Sequence, residues 1–579
     1  MHTLARLLMT VVIFSCCGSA SANVPCPPAE PLGGVADATA TRLVVVVPSI
    51  DSTAQDWQSI REQLRQDPTA KGIAWLVLEL NASALTRVNV RDLGNEVGSC
   101  IGEKVAQNHF KTVTLIGHSV GAMILRYAYL RDAGTSPAMT SNAAPTWSDK
   151  VDRILLFASI NGGISTKRIL PWWPFHRVND KVMRSLGFLG SQLVRDSDFL
   201  ADVRIAWMRH FALPAGERPN PLPHVAQFWG ARDTTITQED NADVDAFEGQ
   251  ALISIAEGDH LNLFRLEPQF ASDPAGRWNL IRTQLLEPVS GRATPKHPPR
   301  RVLLIVRGIR DSSFSDWMTD MRARAESQYG KGNVEILEYG YFPALRFARK
   351  AERESLIPML RNVYVAKLTQ NPLTQFDFIG HSNGTYALAH TLRTTPAMQF
   401  RNIVLAAPVL PTDFDWGLLF DRRQILGKVR YDLANDDIPV GILCQALSAV
   451  WQSDVGPGGV FGFGEGGHPT DSRLVQVGWH HGGHGAALVV DEASGIDNRK
   501  HLLNFALNGE DKGSGSKLQG PPGWFGKAAR FTPWAMWFTF LAIALFFGWL
   551  SRTRPGTAIW LGIGAFAFGV VAYIALDVW

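Results

Sequence analysis

Two serines occupy the same five-residue frame: Ser119 in G-H-S-V-G (117–121) and Ser382 in G-H-S-N-G (380–384). A serine hydroxyl attacks a carbonyl carbon only when a neighbouring base takes its proton and nearby N–H groups hold the oxyanion that forms. Glycines on either side of such a serine let the chain turn sharply and let strand and helix approach closely, so that the hydroxyl is presented at the positive end of the following helix. The frame therefore points to nucleophilic acyl chemistry at two places. Alone it is a weak signal, because a chain of this length shows such a five-mer by chance on the order of a few tenths of a time at about 7% glycine. Its surroundings carry more.

Both copies follow an apolar run (T-V-T-L-I before Gly117, D-F-I before Gly380) and precede a helical pattern (A-M-I-L-R-Y-A-Y-L and T-Y-A-L-A-H-T-L). That is the strand, tight turn and helix of a nucleophile elbow. Further apolar runs lie at 43–47, 73–80, 113–116, 154–157, 225–229 and 251–255, and again at 302–306, 334–337, 376–379, 403–406, 429–433 and 474–477. Runs of four to eight apolar residues without alternation suit strands buried on both faces, and their alternation with helical patterns implies mainly parallel sheets. Each half is expected to be an α/β three-layer domain.

The halves also resemble one another. T-R-L-V-V-V-V-P-S-I-D is followed by Asp56-Trp57, and R-R-V-L-L-I-V-R-G-I-R by Asp316-Trp317. The two serines lie 263 positions apart (382 − 119) and the two openings 259 (301 − 42), as duplication of a whole domain would give. A stretch dense in Pro and basic residues at 287–300 and one dense in Gly, Ser and Pro at 508–526 suggest a first domain over 23–287, a linker over 288–300, a second domain over 301–507 and a second linker over 508–530.

On these motifs the chain resembles the α/β-hydrolase superfamily (serine esterases and lipases), twice, over nearly all of residues 40–490. The resemblance implies a nucleophile, acid, histidine order with the acid and histidine each just past a late strand. In the first half F-W-G-A-R-D-T-T-I offers Asp233, and A-L-I-S-I-A-E-G-D-H-L offers His260. In the second, Y-D-L-A-N-D-D-I-P-V offers Asp436 or Asp437, alignment on the first half favouring Asp436. V-Q-V-G-W-H-H-G-G-H-G-A-A-L offers His484, with His480 and His481 as rivals. The implied oxyanion donors are the N–H groups after the serines, Val120 and Asn383, and the loops Ser49-Ile50 and Gly308-Ile309. No cofactor is implied. The H-H-x-x-H spacing at 480–484 lacks the Glu of a zinc-binding helix and contains Gly-Gly, so no metal is expected.

The ends of the chain bear on location. Residues 1–22 have a basic start at Arg6, a short apolar run and a small-x-small Ala20-Ser21-Ala22, as an export signal does. Runs at 531–550 and 557–576 approach the roughly 20 residues that cross a bilayer, and Arg552 and Arg554 sit between them. A membrane-anchored protein with its domains outside the cytoplasm is expected. N-G-T at 383–385 is a glycosylation sequon inside an elbow, where a glycan would block the serine, and this favours a bacterial periplasmic face. In an oxidising compartment Cys26 and Cys100 could pair. A net charge of +3 over 579 residues gives no reason to expect nucleic acid, and nothing identifies a protein partner.

The insertion at 160–224, with P-W-W-P-F at 171–175 and helical material through Trp207-Met208, stands where the family places its cap, and its aromatics would either suit an acyl chain or simply pack onto the sheet. The expected activity is hydrolysis of carboxylic esters, including lipid or acyl esters, or of thioesters. Acyl transfer, or a membrane-tethered scaffold that keeps the fold without the chemistry, are the rivals.

Overall fold

The segment Arg42–Val47 buries five successive residues, Leu43 to Val47, which in an extended chain requires cover on both faces. In the computed structural model, which describes residues 23–33, 40–50, 52–135, 146–164, 188–214, 222–288, 293–308, 316–337, 339, 347–449, 453–464, 471–490, 495–510 and 520–553, each apolar run named above forms a strand. The second ends at Val77 rather than at residue 80.

Two compact units make up the chain: residues 1–298 with 365–373, and 299–364 with 374–579. The first holds β1 (Glu30–Pro31), β2 (Arg42–Val47), β3 (Ile73–Val77), β4 (Thr112–His118), β5 (Val151–Phe157), β6 (His224–Gly230), β7 (Phe247–Glu248), β8 (Ala251–Ile255) and β9 (Thr294–Pro295). Its main sheet has the order β1-β3-β2-β4-β5-β6-β8, parallel except where β1 meets β3. The second unit holds β10 (Arg300–Val306), β11 (Val334–Leu337), β12 (Thr374–His381), β13 (Ile403–Ala406), β14 (Val429–Ala434) and β15 (Leu474–His480). They form a wholly parallel sheet in the order β11-β10-β12-β13-β14-β15. Setting aside β1 and the small β7–β9 pair, both sheets have the order second, first, third, fourth, fifth, sixth. Such sheets place ligands beyond the carboxyl ends of the strands, where the order reverses.

Helices cover these sheets. In the first unit α1 (Val90–Asn108) starts at Asn89, whose side chain accepts the Arg91 N–H at 2.9 Å. It packs on α2 (Val120–Asp132), which buries every residue from Val120 to Leu130 and so has no solvent stripe. On the other face Trp57 stacks on Phe264 at 4.1 Å and meets Phe157 edge-on. Burial of side chains of this size contributes about 1.5–3 kcal/mol each. In the second unit α4 (Asp316–Tyr329) supplies Met318 and Met321 to the core against Leu303, Ile305 and Ile379.

Cys26 and Cys100 form a disulfide that ties the N-terminal segment to α1. With a sequence separation of 74, closing this loop stabilises the fold by about 4 kcal/mol on a chain-entropy view.

Several expectations change. The stretch read as a linker at 288–300 contains β9, which pairs with β7 of the first unit, because Thr294 and Pro295 find a free strand edge there. In the insertion, α3 (Asp198–Ala212) is packing rather than an exposed cap. Trp207 and Met208 are fully buried, and the Trp207 ring lies 4.4 Å from the Arg126 guanidinium of α2. Residues 171–175 lie outside the described residues, as do residues 1–22, read above as an export signal, and the apolar run at 557–576. The run at 531–550 falls within one longer helix, Gly523–Thr553. Its first turns dock on the second unit, with Phe525 buried against Gly441 and Val460, while Phe531, Trp534, Phe538, Leu541, Leu545 and Trp549 are exposed. Among the described residues no helix is long and apolar enough to cross a membrane.

Candidate active sites

Each serine sits where its frame requires. Ser119 follows β4 with φ 52° and ψ −116°, and Ser382 follows β12 with φ 53° and ψ −120°. A non-glycine residue held there costs about 1–3 kcal/mol, which the surrounding sheet must supply. The Ser119 N–H donates to the Phe157 carbonyl at 2.9 Å and the Ser382 N–H to the Ala406 carbonyl at 3.0 Å, so each elbow is pinned to the neighbouring strand. The next residue but one must be glycine. A Cβ on Gly121 would stand 2.2 Å from the Pro48 carbonyl oxygen, and one on Gly384 2.3 Å from that of Val306. The same strain recurs one strand over, at Ala158 (φ 43°) and Ala407 (φ 48°).

In the first unit three predicted residues meet. Ser119 Oγ lies 2.9 Å from His260 Nε2, and His260 Nδ1 lies 2.9 Å from Asp233 Oδ2. Asp233 follows β6 and His260 follows β8, so neighbouring strand ends bring together residues far apart in sequence. Burial opposes ionisation of Asp233. The hydrogen bond and charge of His260, with the N–H groups of Ile236 and Thr235 at 3.0 and 2.6 Å, outweigh it and hold the carboxyl below its ordinary range. As an ionised acceptor Asp233 fixes the hydrogen on Nδ1 and leaves Nε2 to accept from Ser119. A cavity of about 740 Å³ opens onto this group, and Ser49, Ile50 and Val120 line it, as the oxyanion reading of those residues needs. Its walls also include Ile164 and Leu261, and the polar Ser52, Arg232, Thr234 and Arg265. Arg265 is neutralised by an ion pair with Asp56.

The second unit differs in two respects. The carboxylate that meets His484 is Asp437, at 2.8 and 3.0 Å from Nδ1, and not Asp436. Asp437 is buried and also accepts the Val440 N–H at 3.0 Å, whereas Asp436 is exposed, its backbone N–H bonded to the Gly482 carbonyl. His480 is taken by a separate buried cluster in which Asp432 bridges His480 and Arg430, and His481 is exposed. The second difference concerns the serine. Among the described residues no hydrogen bond joins Ser382 to His484, where the first unit has one. Gly308 lies against the elbow, since a Cβ there would stand 2.9 Å from Ser382 Cβ, and Asn383 is buried at the start of α5 (Asn383–Thr394). Ile309 lies outside the described residues.

The sequence reading gave no role to the histidine inside each frame. His118 Nε2 lies 2.8 Å from the His260 carbonyl oxygen, and His381 Nε2 3.1 Å from that of His484. Its presence in both frames was the available signal.

The family model described as "Putative serine esterase (DUF676)" matches residues 37–145, which run from before β2 to beyond α2. The structure of the lipase BlEst2 from Bacillus licheniformis is similar at 13% identity over 42% of this chain and 91% of that one, with a TM-score of 0.27. The RedJ thioesterase of Streptomyces coelicolor is similar at 19% identity over 45% and 95%, with a TM-score of 0.27. The peroxisomal α/β-hydrolase Lpx1 of Saccharomyces cerevisiae is similar at 14% identity over 45% and 82%, with a TM-score of 0.29. No curated protein matches the chain by sequence. The matched residues contain the loop after β2 and the whole first elbow, so over that stretch the chain is similar to the family so described.

Proposed function

We propose that the first unit hydrolyses carboxylic esters or thioesters through an acyl-enzyme on Ser119, with His260 as base and Asp233 as its orienting carboxylate. The unbroken line of bonds from Ser119 Oγ through His260 to Asp233, opening onto the cavity, carries this reading. His260 Nε2 takes the hydroxyl proton as Oγ attacks the carbonyl carbon, and then returns it to the leaving alcohol or thiol. The Val120 N–H and an N–H of the Ser49-Ile50 loop hold the oxyanion. Water, activated by the same histidine, releases the acid. The second unit runs the same chemistry with Ser382, His484 and Asp437, and with donors at Asn383 and the Gly308-Ile309 loop.

The open Ser382–His484 contact favours a second reading for that unit alone, a fold retained as a binding or regulatory domain. Labelling with a fluorophosphonate, which needs an activated serine and no knowledge of substrate, separates the two. Wild type is expected to carry two labels, each single Ser119→Ala or Ser382→Ala variant one, and the double variant none. One label in wild type, lost with Ser119, assigns the second unit to the second reading. No label in folded wild type refutes the hydrolase reading.

The location reading rests on the sequence of the two ends and on the exposed apolar side chains of the C-terminal helix. The domains would face the periplasm, with membrane attachment through the C-terminal segment and lipid or other acyl esters within reach. After fractionation the full chain is expected to sediment with membranes, and a chain ending at Asn508 to remain soluble in the exported fraction. Equal distribution of the two would remove the attachment and, with it, the reason to favour lipid esters.

A further inference from the structure

The histidine of each G-H-S-x-G frame has no part in the scheme above, yet both are buried, 1% exposed for His118 and 6% for His381, and both make the same long-range contact. A carbonyl oxygen only accepts, so Nε2 carries the hydrogen in each contact. The other nitrogen of His118, Nδ1, is then a bare lone pair, and among the described residues it is buried without a donor facing it. Burial, followed by the charge of His260, pushes the His118 imidazole down to about 3, so the ring is neutral throughout the range in which His260 would act. Phe264 closes one side of it edge-on at 4.9 Å, as Trp317 does for His381 at 6.1 Å.

We propose that His118 and His381 are positioning residues, each donating Nε2–H to the main-chain carbonyl of the base histidine and so tying that histidine's loop to the elbow, which in the first unit holds His260 against Ser119. The contact spans 142 residues in the first unit and 103 in the second, and it recurs although the acid contacts differ in detail. In the first unit the leverage is direct. The elbow grips His260 twice, through Ser119 Oγ on the ring and through His118 on the main chain. The loop between has its own brace, since Asp259 Oδ1 accepts the N–H groups of Leu261 and Asn262 at 2.9 Å. That brace shapes the loop without tying it to the elbow, and His118 supplies the tie.

The inference rests on reading Ser119 and Ser382 as nucleophiles, and its test separates the two ideas. In the full chain carrying Ser382→Ala, His118→Leu keeps the volume and removes the donor, while His118→Gln brings an amide N–H to about the place of Nε2. His118→Leu is expected to lower kcat on a p-nitrophenyl ester by about 10²-fold, the cost of a displacement of about 1 Å, with KM little changed. His118→Gln is expected to restore most of it. The downfield proton resonance of the His260–Asp233 hydrogen bond should be kept in His118→Gln and be lost or shifted in His118→Leu. Unchanged kcat and resonance in His118→Leu would overturn the proposal. Equal losses in both variants, with equally lowered thermal midpoints, would also overturn it, because the imidazole would then only fill space. A parent chain without turnover or fluorophosphonate label would instead refute the hydrolase reading, and the resonance, which needs no substrate, would still decide the tie.

Discussion

Asp437→Asn is expected to lower kcat at the second site by about 10⁴-fold, while Asp436→Asn beside it changes kcat less than about threefold, both measured as ester turnover in a Ser119→Ala chain. The asymmetry follows from the bonds. Asp437 is buried and offers both carboxylate oxygens to His484 Nδ1. An amide there would turn its NH₂ towards Nδ1, drive the imidazole hydrogen to Nε2 and leave no acceptor for the Ser382 proton. Asp436 points to solvent, and its main chain alone is used, in the bond from its N–H to the Gly482 carbonyl. Comparable losses from the two variants, or the larger loss from Asp436→Asn, would dismiss Asp437 as the orienting carboxylate. A second site with no turnover before substitution would support the binding-domain reading of that unit.

The other large effect belongs to the elbows. Gly121→Ala is expected to destabilise the first unit by about 3 kcal/mol, a fall of roughly 6–12 °C in its Tm, and to abolish labelling of Ser119. The added methyl would lie 2.2 Å from the Pro48 carbonyl oxygen and 2.3 Å from that of Val47, and both belong to main chain that cannot rotate aside as a side chain would. Relief requires α2 to move off β2, which carries the Ser119 N-terminal turn away from the Ser49-Ile50 loop. Gly384→Ala should act alike through the Val306 oxygen. Gly134→Ala is the control. That glycine has φ +69° but nothing within 4 Å, so only the backbone penalty of about 1–2 kcal/mol applies and labelling should persist. Calorimetry that showed Gly121→Ala no worse than Gly134→Ala would remove the close approach of helix to strand from the account of the elbow.

The sequence by itself determined the strands and the elbows, because these depend on neighbours in the chain. Leu43 to Val47 has to be covered on both faces wherever the rest of the molecule lies, and a serine between two glycines after such a run has little choice but a tight turn. The chain order after each serine similarly pointed to Asp233 and His260 at strand ends, and to His484 with His480 and His481 as rivals. Tertiary structure alone decided between Asp436 and Asp437. They are adjacent, and the choice depends on how the chain leaves β14 beyond the register shift between Asp432 and Ala434, with Asn435 and Asp436 bonded back to the turn after β15. It also assigned His480 to Asp432, buried Trp207 of α3 against α2 and joined Cys26 to Cys100. The tie from His118 to a carbonyl 142 residues away is of the same kind. A pattern of residue types records what each segment can bury or turn, whereas the partner of a buried polar group is set by the strand order and register that bring distant segments to one edge.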